Sequence, residues 1–299
     1  MITRRHSLGL IGAALLFPGC SAKAVNAVRI GSKSSSENVT IAEIYAVALE
    51  RENVAVERQM NLGNAASLMA ALQRGDIDLY PGYVRRGAEN PYEISPAAKS
   101  AVYDTAKPLY QRRYGITWLA SSPANYSPCL VTSQYAAEEY WLLSLTKCAD
   151  IAEQLRLAAT SEFLASGGML DGLQRLYGGF NFKKVLTFDP GAQYDALSRG
   201  DADVANGVTT DSKIVEKQLA VLRDDKRFWP QCNVAPVIRL ATLHSQPRVR
   251  FVLNRISRAL TEYAVQQMNM RLDLLYMDAH DMAEDFVDKH AFSVPEHGR

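Results

Sequence analysis

One eight-residue phrase, A-L-x-R-G-D-x-D, occurs twice in this chain, as "ALQRGDID" at 71–78 and "ALSRGDAD" at 196–203, 125 residues apart. In each copy an amphipathic stretch ends on arginine and then glycine. A cation suits the last turn of a helix, and glycine takes the left-handed conformation that stops it. The Asp-x-Asp that follows opens a short apolar strand. The phrase therefore reads as a helix stop leading into a strand, and its Arg-Gly-Asp as scaffold, not an adhesion signal. Two such phrases require two α/β units of like construction.

The surrounding pattern agrees. "AVRIGSK" reads as a strand, then Ile41, Ile44, Tyr45, Ala48 and Leu49 recur at helical spacing. "VAVERQMNLG" reads as a strand, "NAASLMAALQRG" as a helix capped by Asn64, and "DIDLYPG" as a strand. In the second half "KKVLTF", "GAQYDALSRG" and "DADVANG" repeat strand, helix and strand, and Asp211 is placed to cap the helix "SKIVEKQLA". Such alternation implies sheets covered by helices. With 299 residues, 47% of them hydrophobic, the chain can fill a core in each of two lobes. Ligands of open α/β sheets bind outside the C-terminal strand ends. Here those ends lead into "LYPGYVRR" and "ANGVTTDS". Facing each other, they would line one interlobe cleft that closes by a hinge.

The N-terminus "MITRRHSLGLIGAALLFPGC" has a basic head, an apolar run and a small residue before Cys20. It reads as a secretory signal over 1–20, too short to span a bilayer. Because it ends on Gly19-Cys20 it resembles a bacterial lipoprotein signal, which implies lipidation of Cys20 and a periplasmic or extracytoplasmic, membrane-anchored protein. Cys129, Cys148 and Cys232 remain. An export compartment permits one bridge among them; Cys129–Cys232 and two free thiols both stay open. No Cys or His spacing suggests a metal, and no cofactor fingerprint appears. A net charge of +1 with mixed signs gives no reason to expect nucleic acid as a partner. No nucleophile elbow or phosphate loop points to an enzyme.

The segments "VRIGSKSSSENVTIAEIYA", "GDIDLYPGY", "YGITWLASSPAN", "ATSEFL", "YDALSRGDADVANGVTTDSKI" and "LAVLRDDKRFWPQCNVAPVIR" occur in one order. Together they resemble the glycine betaine/choline (osmoprotectant) substrate-binding proteins of ABC importers. The resemblance implies an α/β, two-lobed, type II-like periplasmic binding protein fold with an interlobe cleft. It places lobe 1 at 28–124 plus 238–299 and lobe 2 at 125–237. It also implies a monomer that captures a small solute and delivers it to an ABC permease and its ATPase. The alternative is an envelope protein that keeps the fold without a transport role.

In that family aromatic faces cage a quaternary ammonium, and Lys, Arg and hydroxyls hold a carboxylate where one is present. Lys33 matches the carboxylate lysine and Tyr83 a cage tyrosine. The rest departs. Arg85 and Arg86 stand in place of small residues, Pro128 replaces an aromatic with Tyr126 two positions earlier, and Ser166 replaces an arginine. Val208 and Cys232 stand where aromatics are expected. With Ser34, Asn125, Ser127, Thr209 and Thr210, these residues make the candidate ligand wall. One kept cage aromatic leaves betaine or choline binding weakly supported, and Lys33 with Arg85 or Arg86 suits an anion. Leu142, Leu143 and Leu145 are expected in the core. Arg248, Arg250, Arg255 and Arg258 are expected on a solvated helix face.

Overall fold

A computed structural model of the chain describes residues 27–85, 101–165 and 169–290. The segment 1–20 with Cys20, and also Arg86 and Ser166, lie outside the described residues.

The first unit runs β1 (Val28–Gly31), α1 (Ser36–Arg51), β2 (Val56–Gln59), α2 (Ala65–Arg74), β3 (Leu79–Arg85), α3 (Ala101–Tyr114) and β4 (Ile116–Trp118). The second runs β5 (Pro128–Thr132), α4 (Gln134–Glu139), α5 (Leu145–Ile151), β6 (Arg156–Thr160), α6 (Ser161–Ala165), α7 (Met169–Tyr177), β7 (Lys184–Phe188), α8 (Ala192–Arg199), β8 (Val204–Val208), α9 (Ser212–Glu216) and β9 (Ala220–Val221). The chain then returns through β10 (Cys232–Arg239), α10 (Leu240–Ser245), α11 (Arg248–Ala259), α12 (Glu262–Leu274) and α13 (Ala279–His290).

Two five-stranded sheets result, in orders β2-β1-β3-β10-β4 and β7-β6-β8-β5-β9. Their plans correspond. Four strands run in the same direction in each, and one strand that has crossed from the other lobe inserts antiparallel among them: β10 between β3 and β4, β5 between β8 and β9. Strand β10 belongs to the first sheet from Cys232 onward, so the return to lobe 1 comes before 232 and not at 237/238. A boundary at 237/238 would cut an unbroken strand; the unpaired stretch 224–231 precedes β10 instead.

Helix α1 is buried nearly all round, from Glu37 to Leu49, because the sheet takes one side and α11 and α13 the other. A helix in that position cannot show a simple amphipathic stripe. Both repeated phrases stop their helices as expected: Gly75 and Gly200 take φ of 79° and 72°. Asn64 and Asp211 cap α2 and α9 as expected, accepting from Ser67 N and Lys213 N.

The second aspartate of each phrase has a partner that spacing did not show. Asp78 accepts a fork from Arg29 at the start of β1, Nε to Oδ2 at 2.9 Å and Nη2 to Oδ1 at 2.9 Å, plus the Arg29 backbone N at 3.0 Å. Asp203 receives the same three bonds from Arg156 at the start of β6, at 2.9, 2.8 and 2.8 Å. Each knot fastens the turn after a helix to the neighbouring parallel strand. The first aspartates, Asp76 and Asp201, pair locally with Arg74 and Arg199 on the surface.

Of the three leucines expected inside, Leu142 and Leu145 are buried but Leu143 is 59% exposed. Trp141 has φ of 52°, and this left-handed residue turns the chain so that Leu143 points outward. The basic face of α11 is partly committed: Arg248 and Arg255 both bind Glu52 at the end of α1. Cys129, Cys148 and Cys232 are buried and none is in a disulfide, so the bridge left open by the sequence does not form. Among the described residues no helix is long and apolar enough to cross a membrane.

Candidate functional site: a cleft between the two lobes

Two strands carry the chain between lobes, one through Asn125 into β5, the other through Gln231 into β10. They are tied to each other. Asn125 Oδ1 accepts from Ser127 Oγ and from Cys232 N, each at 2.8 Å, and Tyr126 N donates to the Cys232 carbonyl at 2.7 Å. Thr209, just past β8, donates its hydroxyl to the Asn125 carbonyl and accepts from Ser127 N at 3.2 Å.

Successive residues of an extended chain face opposite ways. The crossings obey this. Tyr126, Val208, Thr210 and Cys232 line a cleft of about 550 Å³ on one side. Asn125, Ser127, Thr209 and Gln231 line a cavity of about 510 Å³ on the other. The candidate ligand wall is therefore split between two compartments.

The 550 Å³ cleft also receives Lys33, Ser35, Ser36 and Glu37 from the β1–α1 connection, Tyr83 from β3, Asp211 and Ser212 from the start of α9, and Asn269 and Asp273 from α12. It lies at the C-terminal ends of β1, β3 and β8, where an open α/β sheet holds its ligand. The Tyr83 and Tyr126 rings meet at 5.0 Å between centroids, tilted by 56°. Lys33 Nζ sits 4.5 Å from the Tyr83 ring centroid, in cation–π range. Its backbone N is held by Asn38 Oδ1 at 2.7 Å, which fixes the loop.

Glu37 is 92% buried at the cleft wall (8% exposed). Its Oε1 accepts from the Tyr83 hydroxyl and its Oε2 from Asn269 Nδ2 at 2.7 Å. Burial, and then the Glu37 carboxylate, push the Tyr83 phenol far above its ordinary value, so Tyr83 remains a neutral donor. Burial likewise raises the Tyr126 phenol. Among the described residues the cleft holds one lysine against three carboxylates, Glu37, Asp211 and Asp273. The anion site expected from the sequence drew on Arg85 and Arg86 as well as Lys33, and the Arg85 side chain and Arg86 lie outside what the structure describes.

Helix α12 clasps the second lobe with one face. Gln266 Nε2 donates to the Thr209 carbonyl at 2.6 Å, Asn269 Nδ2 to the Thr210 carbonyl at 2.8 Å, and Asp273 Oδ2 accepts from Ser212 Oγ at 2.7 Å. Positions 266, 269 and 273 share a face at i, i+3 and i+7. The two acceptors around Asn269 Nδ2 also fix the orientation of that amide. Sequence reasoning missed all three residues and Glu37. The polar i, i+3, i+7 pattern within α12 was the available signal, masked by the basic residues of the helix before it.

The structure brings Lys33, Tyr83, Tyr126, Val208, Thr210 and Cys232 together. It places Asn125, Ser127, Pro128 and Thr209 behind the crossings instead, three of them spent on hydrogen bonds that tie the crossings together. Ser34 is exposed and is not on the cleft wall, where Ser35 and Ser36 stand. Arg85 ends β3 with its backbone opposite Cys232. Among the described residues no cluster of His, Cys, Asp and Glu could hold a metal ion.

The arrangement has relatives. The Escherichia coli glycine betaine-binding protein YehZ is 26% identical over 91% of this chain and 93% of its own length. The carnitine transport binding protein OpuCC of Listeria monocytogenes is 23% identical over 92% of this chain and 90% of its own. An ergothioneine transport permease/ergothioneine binding protein of Helicobacter pylori is 24% identical over 87% of this chain, which spans only 47% of that longer protein. Among solved structures, apo YehZ superposes with a TM-score of 0.79 at 24% identity, over 89% of this chain and 99% of that one. A glycine betaine/carnitine/choline ABC transporter structure gives the same TM-score over 88% and 98%. These structures share the two-lobed fold. The substrate binding domain of ABC-type glycine betaine transport systems matches residues 26–289, nearly everything from β1 to α13, and the chain belongs to that family.

Proposed function

We propose that the chain is the solute receptor of an ABC importer, taking a small organic cation or zwitterion into the interlobe cleft outside the cytoplasmic membrane and presenting it to a permease whose ATPase supplies the energy. One observation carries the ligand class: Lys33, the Tyr83–Tyr126 pair and three carboxylates converge on one cleft. Lysine provides a handle for a ligand carboxylate, and the tyrosines and acids one for an ammonium group. The names of the relatives, which bind glycine betaine, carnitine or ergothioneine, point to the same class. Direct calorimetry with glycine betaine, carnitine, choline and ergothioneine, alongside native mass spectrometry of the purified protein, tests it. Binding of a cation or zwitterion that is weakened at least tenfold by Lys33→Ala or Tyr83→Ala is expected. Binding of phosphonates or sulfonates alone overturns it.

Anchoring through a lipid on Cys20, in the segment 1–20, is part of the same proposal. The mass of the mature chain decides it: a diacylglyceryl addition on a chain starting at Cys20 supports the anchor, and an unmodified N-terminus removes it. The protein would act as a monomer, with each lobe free to face the permease.

A further inference from the structure

The position that a quaternary ammonium would take on Tyr83 is already held. Lys33 Nζ lies 4.5 Å from the ring centroid. The only other ring among the residues that line the described cleft is Tyr126, tilted against Tyr83 so that the two do not enclose a cation between parallel faces. Val208 and Cys232 add no aromatic wall. Among the described lining residues the charged groups that remain are carboxylates. Glu37 is buried in the wall with one bond to each oxygen, from Tyr83 and Asn269. An ionised carboxylate offers about four acceptor positions, so each oxygen retains capacity toward the cleft. Asp211 stands on the second lobe, with its oxygens taken by Lys213 N and the Tyr194 hydroxyl, while Asp273 reaches the cleft from α12, the helix that also carries Asn269 and clasps the second lobe.

A trimethylated ammonium cannot use these acceptors. It has charge but no N–H. A primary or secondary ammonium, or a guanidinium, has both, and a charge-assisted hydrogen bond is worth about twice a neutral one. We propose that the cleft recognises the cationic end of its ligand through Glu37, with Asp273 as second partner, and that the preferred ligand therefore bears N–H donors on its cation and not a full set of methyl groups. Glu37 is the residue that determines this specificity. The neighbouring helix α12 would then report the ligand to the second lobe, since Asn269 binds both Glu37 and the Thr210 carbonyl.

This rests on the reading of the cleft as the solute site, and the test separates the two. Affinities are measured by calorimetry on the full chain for two N-methylation series: glycine, sarcosine, dimethylglycine and glycine betaine, and 4-aminobutyrate with its mono-, di- and trimethyl forms. Charge is constant within each series while N–H donors fall from three to none. The expected result is a loss of about tenfold or more from the unmethylated to the trimethyl member in at least one series. In Glu37→Gln that preference shrinks. In Asp273→Asn, which lies at the exposed rim and leaves the buried wall intact, it shrinks by a smaller factor. Tighter binding of the trimethyl members, or a preference unchanged in both variants, overturns the carboxylate assignment while leaving the importer reading in place. If neither series binds, and the solute found by native mass spectrometry binds equally well to Lys33→Ala, Glu37→Gln and the parent chain, both readings fall.

Discussion

The two Arg–Asp knots were built to one plan but do not sit in equal surroundings. Arg29–Asp78 and Arg156–Asp203 make the same three hydrogen bonds within a tenth or two of an ångström. Asp78 is more enclosed, at 9% side-chain exposure against 16% for Asp203. It also accepts from Thr242 Oγ1 at 3.3 Å and Arg239 Nη1 at 3.4 Å. These come from the return of the chain through β10 and α10. The first knot therefore joins three parts of lobe 1, while the second joins two parts of lobe 2. The difference follows from the chain path: lobe 1 is closed by its own C-terminal segment, and lobe 2 is a single insertion.

Breaking each knot exposes that difference. Asp78→Ala strands two guanidinium groups and a hydroxyl, and a loss of about 3 kcal/mol is expected, at the low end for breaking a buried pair. Asp203→Ala, with one partly exposed partner, is expected to cost about 1–2 kcal/mol. Urea unfolding of both variants checks the ranking, and equal losses would show that Thr242 and Arg239 add nothing.

Acid sharpens the same comparison. At both aspartates burial raises the carboxyl pKa, but the hydrogen bonds and charge of the arginine outweigh it and hold each below the ordinary carboxylate range. A depressed folded-state pKa stabilises the fold above the unfolded value and is lost as pH falls through the folded one. Stability should thus drop below about pH 4. The drop should be smaller in Asp78→Asn, which has no proton to take up there. A pH series of thermal midpoints on both proteins reads this.

The glycines of the two phrases give a smaller contrast. Both have positive φ, so Gly→Ala costs about 1 kcal/mol at either site. At Gly75 a Cβ would also lie 2.9 Å from Arg239 Nη1, whereas at Gly200 nothing stands within 4 Å. Gly75→Ala should be the worse by a few tenths of a kcal/mol in unfolding experiments, because the arginine tip can move. Smallest of all, Arg74→Ala and Arg199→Ala break exposed pairs with Asp76 and Asp201, and each should shift stability by less than about 0.5 kcal/mol.

Much of this scaffold was legible in the residues themselves. Helix stops at Gly75 and Gly200, the Asn64 and Asp211 caps, and the two-unit plan depend on neighbours within a few positions. What was not legible depends on distance along the chain. Arg29 and Asp78 are 49 residues apart, and nothing local marks the partner. The lobe boundary was misplaced because nothing local says which of the two sheets the strand 232–239 joins. Six of the candidate site residues share the cleft because strand ends deliver them there. Asn125 and Ser127 went to the far side because facing is set by strand pleat, which a family pattern does not display, and Pro128 and Thr209 line the same far cavity where β5 begins and β8 ends. Glu37 and Asn269 escaped notice since one looks like a helix-start acid and the other like a surface amide.

The alternation at the crossings constrains how such a receptor can change its solute. Asn125, Tyr126 and Ser127, and likewise Gln231 and Cys232, serve opposite compartments in turn, one the solute cleft and the other the cavity behind the crossings. Adding or deleting a single residue between Asn125 and Ser127, or between Gln231 and Cys232, would turn the wall inside out and put the fasteners of the crossings against the solute. New specificity must come by exchanging side chains at fixed length. The crossings act as a reading frame, and the chain can rewrite its letters without shifting it.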